Sequence, residues 1–311
     1  MWLLLAYRGP TRSAARIMQM KSSIVSCHLD ANGVSFNVLE QGKGPLVLCL
    51  HGFPDCAWSF APMMGALAAA GYRAVAPFMR GYAPSAVPAD GRYQTQILGE
   101  DVLALIDALG AERAIVIGHD WGAAAAYAAA VTAPARITKL VTMAVPYGLR
   151  LFMRMVTDPV QQRRSWYMYL LASPLGEPAL TWDDFAFVDR LWADWSPGFT
   201  PHPTHIARVK ESLRAPGAPL AAASYYKHLF LPELQDPALA AAQAKFGTAP
   251  LEMPTLYLHG ADDGCIGADI ETEHALYTAG VEAEIIPRTG HFLHLEAPAI
   301  INARILKFLH P

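Results

Sequence analysis

A chain of 311 residues that is 53% hydrophobic and 16% charged suits one large α/β domain with an insertion, and it can bury a substantial core. A net charge of −3, with no basic cluster interleaved with aromatics, argues against a nucleic-acid partner. No run of 18 apolar residues occurs, so no transmembrane span is expected. The four cysteines, Cys27, Cys49, Cys56 and Cys265, show neither metal-ligand nor CxxC spacing. They read as reduced, which points to a cytoplasmic setting, with Cys49 a small core residue.

Residues 1–20 carry a short apolar start, WLLLA, then Arg8, Arg12 and Arg16 with no acid. A secretory signal wants its positive charges before the apolar run. The stretch is therefore expected to be a disordered extension, or a start placed upstream of Met18 or Met20; a targeting segment is the rival reading. Residues 22–40 alternate around Val34-Ser35-Phe36-Asn37-Val38, as a hairpin strand does. After the turn Gly42-Lys43-Gly44-Pro45, LVLCL (46–50) is a continuous apolar run, expected of a strand buried on both faces of a parallel sheet. A helix over 58–70, a strand over 73–76 and an amphipathic helix over 94–109 follow. Later strands are predicted at 114–117, 137–145, 255–258 and 283–286, with a last helix over 298–309. Alternating strands and helices predict a mostly parallel sheet covered on both faces.

Residues 147–252 break that rhythm. They have no strand-like apolar runs and are dense in Trp, Tyr, Met and Pro. An aromatic, helical insertion after a strand end reads as a lid (cap) over a pocket; an ordinary helical subdomain is the plainer alternative. The domain reading is an extension at 1–20, a core of 21–146 and 253–311, and a lid of 147–252.

Residues 114–130, AIVIGHDWGAAAAYAAA, read as strand, tight turn and small-residue helix. Gly118-His119-Asp120-Trp121-Gly122 has the spacing of a nucleophile elbow, with Asp120 where Ser usually stands. A carboxylate nucleophile forms an ester with an electrophilic carbon, and a positioned base must then activate water to cleave it. His291, just after the last predicted strand, is the base candidate. His259-Gly260-Ala261-Asp262-Asp263-Gly264 offers two acids to orient it, and the resulting order of nucleophile, acid and histidine is that of α/β-hydrolases.

HGFPD at 51–55, GHDWG at 118–122, HGADDG at 259–264 and TGH at 289–291 together resemble the α/β-hydrolase superfamily. More narrowly they resemble its epoxide hydrolase family, a relative of the haloalkane dehalogenases, in which Asp replaces the elbow Ser. The likeness covers nearly everything after the N-terminal tail. It implies an α/β-hydrolase fold with a helical lid. It makes Asp120 the nucleophile, His291 the base and Asp263, in preference to Asp262, the orienting acid. Phe53 and Trp121 match the positions whose backbone N–H groups form the oxyanion hole. Ser165-Trp166-Tyr167-Met168-Tyr169 and Ser224-Tyr225-Tyr226-Lys227 resemble the lid segments that hold two phenol donors, matched at Tyr167 and Tyr226, with Tyr169 and Tyr225 as rivals in register.

The activity implied is hydrolysis of a small apolar epoxide by water to a vicinal diol, with no cofactor and no metal. Leu170-Leu171-Ala172 and Lys227 depart from the family, which has Phe and Gln, and Arg, at these places. A haloalkane dehalogenase would use the same triad, but Phe53 supplies no side-chain donor for a halide. A fluoroacetate-type dehalogenase is disfavoured by Trp121, and an esterase by the lack of GxSxG. A non-catalytic ligand-binding protein would not need all three triad residues. His119 and Asp55 are expected to serve local structure, and His294 and Glu296 to support His291 at most. His28, His202, His205, His228, His274 and His310 show no metal-like clustering, and Glu100 and Asp101 are expected on a solvated helix face.

Overall fold

The computed structural model describes residues 23–310, so the expectations for residues 1–20 lie outside the described residues. The chain opens with the hairpin β1 (Val25–Ala31) and β2 (Val34–Gly42). Its turn, Asn32-Gly33, has positive φ at both residues (45° and 72°), which suits a two-residue hairpin turn. β3 (Leu46–Leu50) is buried at every position, as its unbroken apolar run requires. A short 3₁₀ turn (Ala57–Phe60) precedes α1 (Ala61–Ala69), where Pro62 in the first turn sets the α-helical start. β4 (Arg73–Pro77), α2 (Thr95–Ala108), β5 (Ala114–His119), α3 (Trp121–Thr132) and β6 (Ile137–Met143) follow.

Seven helices come next: α4 (Arg150–Thr157), α5 (Pro159–Arg164), α6 (Trp166–Ala172), α7 (Gly176–Trp195), α8 (Pro203–Arg214), α9 (Ala218–Phe230) and α10 (Ala240–Gln243). α7 is kinked: Trp182 is extended, and Asp183, Asp184 and Phe185 have φ of 48°, 50° and 61°. The chain then returns to β7 (Thr255–Gly260), β8 (Val281–Ile286), α11 (Leu293–Glu296) and α12 (Pro298–Leu309).

The eight strands lie in the order β1-β2-β4-β3-β5-β6-β7-β8. β1 with β2 and β2 with β4 are antiparallel, and every later pair is parallel. The central strands β3 and β5 are buried throughout, whereas the edge strands β1 and β8 are largely exposed. Arg304 on α12 bonds Glu282 and Glu284 of β8, which charges that edge. The carboxyl ends of β3, β5, β7 and β8 meet where the turns carrying His51, Asp120, Asp263 and His291 emerge, the usual place for a site in such sheets.

The helices inserted between β6 and β7 are tied to this end of the sheet. The Trp192 Nε1 group donates to Pro54 O at 2.8 Å, and Tyr225 Oη donates to Arg80 O at 2.9 Å. His205 Nε2 bonds Asp55 Oδ1 at 3.0 Å. His205 thus joins α8 to the turn after β3.

Asp101 also differs from expectation. It is buried, taking Arg80 Nε and Nη2 at 2.6 and 2.7 Å and Asn32 Nδ2 at 2.7 Å. The buried Arg80, reached from the loop after β4, supplies the compensating charge. Helical periodicity on α2 alone cannot reveal that partner.

Candidate active site

β5 delivers Asp120 to a turn with φ 52° and ψ −122°, a strained conformation for a non-glycine residue. Small neighbours make the turn possible. A Cβ on Gly118 would lie 2.3 Å from Gly122 O, and one on Gly122 would lie 2.0 Å from Leu50 O. A Cβ on Gly52 would sit 2.2 Å from Asp120 Oδ1 and 2.6 Å from the Trp121 backbone nitrogen. The glycines of HGFPD and GHDWG are thus steric requirements of one packed junction.

Two backbone donors converge on this point. Phe53 N–H donates to Asp120 Oδ1 at 2.7 Å. The Trp121 N–H opens α3, where first-turn amides lack intrahelical acceptors and the helix dipole favours negative charge.

His291 Nδ1–H donates to Asp263 Oδ2 at 2.9 Å, and Nε2 faces Asp120 Oδ2 at 3.6 Å. The three residues come together from turns after β5, β7 and β8. Asp263 Oδ1 accepts Cys265 N–H at 2.7 Å and Ile266 N–H at 3.0 Å, and His259 Nε2 lies 3.2 Å from Oδ2. Burial alone would push the Asp263 carboxyl up, but His291 and His259 hold it well below the usual carboxylate range. Burial would likewise favour neutral His291, yet Asp263 and Asp120 outweigh it and raise the imidazole to about 10. Asp262, the other acid in the turn, is exposed, with its backbone N–H on Thr289 O.

Tyr167 and Tyr226 are fully buried, with ring centroids 5.6 Å apart, and both face Phe53. Tyr167 Oη lies 3.3 Å from Cys265 Sγ. Tyr226 Oη finds no partner of normal hydrogen-bond geometry, although the neighbouring Trp121 side chain favours its ionised form. Burial pushes both phenols well above their ordinary range, so both carry their proton at neutral pH. The competing register residues sit elsewhere: Tyr169 is 46% exposed, and Tyr225 is spent on Arg80 O.

A narrow cavity of about 60 Å³ reaches Asp120 and Trp121. Phe152, Met155, Met168 and Ile266 are among the residues that line it, so its wall is predominantly apolar.

Several supporting contacts have no local signature in the sequence. Trp195 O accepts both His291 N–H and Gly264 N–H at 3.0 Å, so the end of α7 grips the turns bearing His291 and Asp263. Ser196 Oγ donates to Glu296 Oε1 at 2.7 Å and accepts Phe292 N–H at 3.1 Å, while Glu296 Oε2 accepts Gly290 N–H at 2.7 Å. His119 Nε2 donates to His291 O at 2.9 Å. Burial keeps His119 neutral, lowering it to about 4, and holds His294 well below the usual histidine range.

Among the described residues, Asp55 with His119 and His294, and Asp263 with Cys265 and His291, bring three possible ligand atoms within 4.8 Å. The second group is already joined by hydrogen bonds from His291 Nδ1 and the Cys265 backbone N–H to Asp263. In the first, Asp55 Oδ1 is committed to Cys56 N–H at 2.8 Å and to His205.

Residues 45–298 match the family described as the alpha/beta hydrolase fold. The chain is 30% identical to an epoxide hydrolase of Caballeronia sordidicola, over 89% of this chain and 91% of that one. It is 31% identical to the AB hydrolase superfamily protein YfhM of Bacillus subtilis, over 92% and 98%. Epoxide Hydrolase A from Mycobacterium thermoresistibile shares the fold with a TM-score of 0.77, at 24% identity over 92% and 98% of the two chains. No described helix is long and apolar enough to cross a membrane.

Proposed function

Because the chain belongs to the α/β-hydrolase family and to its epoxide hydrolase branch, we propose that it hydrolyses a small apolar epoxide to a vicinal diol through an ester on Asp120. The observation that carries this reading is that Asp120, reached by an apolar cavity, faces His291 of the His291–Asp263 pair at 3.6 Å and binds the Phe53 N–H, while Phe53 packs against two buried phenols, Tyr167 and Tyr226. One Asp120 oxygen attacks a ring carbon as the C–O bond breaks, and a phenol of Tyr167 or Tyr226 protonates the leaving oxygen. His291 then takes a proton from water, which attacks the ester carbonyl. The developing oxyanion meets the Phe53 and Trp121 N–H groups, each worth on the order of 3 kcal/mol.

Esterification also prepares the base. While Asp120 is a carboxylate, it helps hold a proton on His291. Once Asp120 is an ester that charge is gone, and the imidazole gives up its proton more readily, which restores the phenol that protonated the leaving oxygen. The single 3.6 Å gap between Nε2 and the nucleophile therefore serves an ion pair in one half-reaction and a base in the other. The helices of 147–252 act as the lid and supply both phenols. Their apolar lining favours an apolar substrate, with no cofactor or metal taking part, and a cytoplasmic setting fits four free cysteines.

Single-turnover reaction of styrene oxide in ¹⁸O-labelled water tests the reading, with a chloroalkane run in parallel. Diol from the first turnover should carry protein-derived ¹⁶O. Halide release without diol formation would assign the same triad to dehalogenation, and first-turnover diol fully labelled from solvent would remove the ester.

A further inference from the structure

The two phenols are not equivalent. Tyr226 Oη has no hydrogen-bond partner of normal geometry, whereas Tyr167 Oη lies 3.3 Å from a fully buried thiol, Cys265 Sγ. We propose that Cys265 is a positioning residue: its S–H donates to Tyr167 Oη, turns the phenol's own hydrogen toward the substrate oxygen, and makes Tyr167 the phenol that gives up its proton. This rests on the epoxide-opening reading above.

Both partners are fixed. Cys265 is pinned along its backbone: its N–H donates to Asp263 Oδ1 at 2.7 Å, and its carbonyl accepts Gln161 Nε2 at 3.0 Å. The Tyr167 ring is stacked on Phe53 (6.5 Å, 8°) and packs against Trp195 at 4.7 Å and Tyr226 at 5.6 Å. Neither group can swing away from the other without breaking these contacts. Burial, with the nearby charges of Asp263 and Asp120, pushes the thiol up and keeps it as S–H.

Sulfur is a weak acceptor, so a bond from Tyr167 O–H to Sγ is a poor competitor for that hydrogen. An epoxide oxygen is the better acceptor, and the S–H is then free to donate to the phenol oxygen. The proton balance follows. Epoxide, Asp120 carboxylate and Tyr167–OH become a hydroxy-ester and a tyrosinate, and the S–H bond to that oxygen stabilises the tyrosinate. Water then cleaves the ester, returning the Asp120 carboxylate and the diol. The proton that His291 held beside the Asp120 carboxylate restores Tyr167, and the proton it takes from water restores His291, so the net reaction is epoxide plus water to diol. Tyr226, which has the Trp121 indole beside it but no hydrogen bond of normal geometry at its oxygen, hydrogen-bonds the epoxide without parting with its proton.

The test uses the full chain and rapid-mixing kinetics with excess styrene oxide, which separates ester formation from ester hydrolysis. The variants are Cys265→Val, Cys265→Ser, Tyr167→Phe, Tyr226→Phe and the Tyr167→Phe/Cys265→Val double variant; Cys265→Ala replaces Val if the latter does not fold. Loss of one neutral hydrogen bond should slow ester formation roughly three- to tenfold in Cys265→Val and leave hydrolysis unchanged. Cys265→Ser, which keeps a donor, should stay within about twofold of the parent, and the Val effect should vanish in the Tyr167→Phe background. A transient tyrosinate absorbance should accompany ester formation in the parent and in Tyr226→Phe, and be lost in Tyr167→Phe.

The inference is overturned by parent-like ester formation in Cys265→Val, by equal losses in Val and Ser, or by a Val effect that persists without the Tyr167 hydroxyl. A tyrosinate signal that needs Tyr226 instead also overturns it. Unchanged ester formation in both Tyr167→Phe and Tyr226→Phe would instead strike the function reading itself.

Discussion

Replacing His291 with Gln should separate the two half-reactions. Nε2 stands 3.6 Å from Asp120 Oδ2 on the side opposite the Asp263 bond, so the substitution removes the base and leaves the nucleophile in place. Gln offers an amide of similar reach but no proton acceptor of comparable basicity. Asp263 keeps the Cys265 and Ile266 N–H groups and its contact with His259, so its carboxylate remains solvated by the protein. The backbone N–H of residue 291 keeps Trp195 O. General-base catalysis contributes about 10²–10⁴ in rate, or about 2.7–5.5 kcal/mol of barrier, and all of it should fall on ester hydrolysis. Ring opening relies on Asp120 and the phenols and should proceed. Intact-mass spectrometry after mixing with styrene oxide should then show one equivalent of adduct. Its added mass should equal the whole epoxide, because ring opening expels nothing, and it should map to the peptide carrying Asp120. A chloroalkane substrate would add its mass less that of HCl. Turnover within tenfold of the parent, or folded protein with no adduct, would refute the two-step mechanism.

Gly52→Ala should lower ester formation by about 10²-fold, because the new Cβ would meet Asp120 Oδ1 at 2.2 Å and displace the nucleophile; comparing rates with thermal unfolding separates this from misfolding. Asp101→Asn should cost about 3–5 kcal/mol in denaturant unfolding, since it leaves the buried Arg80 guanidinium short of its compensating charge. Acid should destabilise the fold through a buried histidine as well as through carboxylates. His119 is held neutral down to about 4, so below its unfolded value of 6.5 only the unfolded chain takes up that proton, and stability should fall by about 3 kcal/mol between pH 6.5 and 4. A His119→Asn variant should flatten that slope in urea titrations, and an unchanged slope would contradict it. His291 has the opposite sign: its folded value is raised, so its contribution is full below pH 6.5 and is lost as pH climbs toward 10.

The parts of this site that the sequence discloses are those fixed by short-range sterics. Gly118, Asp120 and Gly122 are spaced by the space one turn allows, and the unbroken apolar runs of β3 and β5 follow from burial on both faces. The order of Asp120, Asp263 and His291 reflects the order of strand ends in a parallel sheet, so it survives in the linear chain.

What stays hidden is set by docking between segments far apart in sequence. Asp101 reads as a surface residue on α2 until Arg80 is placed beside it, 21 positions earlier in the chain. Trp195 and Ser196 grip the His291 turn from nearly a hundred positions away, and Cys265 meets Tyr167 across 98. His205 on α8 meets Asp55 from 150 positions away in the chain. These contacts are backbone carbonyls, a hydroxyl, a thiol and an imidazole, groups with no periodicity to betray them. The chemistry is shared in the same way. On the proposed reading, Asp120 with His291 and Asp263 fixes where a covalent bond forms and would serve epoxide and halide substrates alike. On the same reading, the groups that decide what leaves the carbon are Tyr167, Tyr226 and Cys265, carried by α6, α9 and the turn after β7.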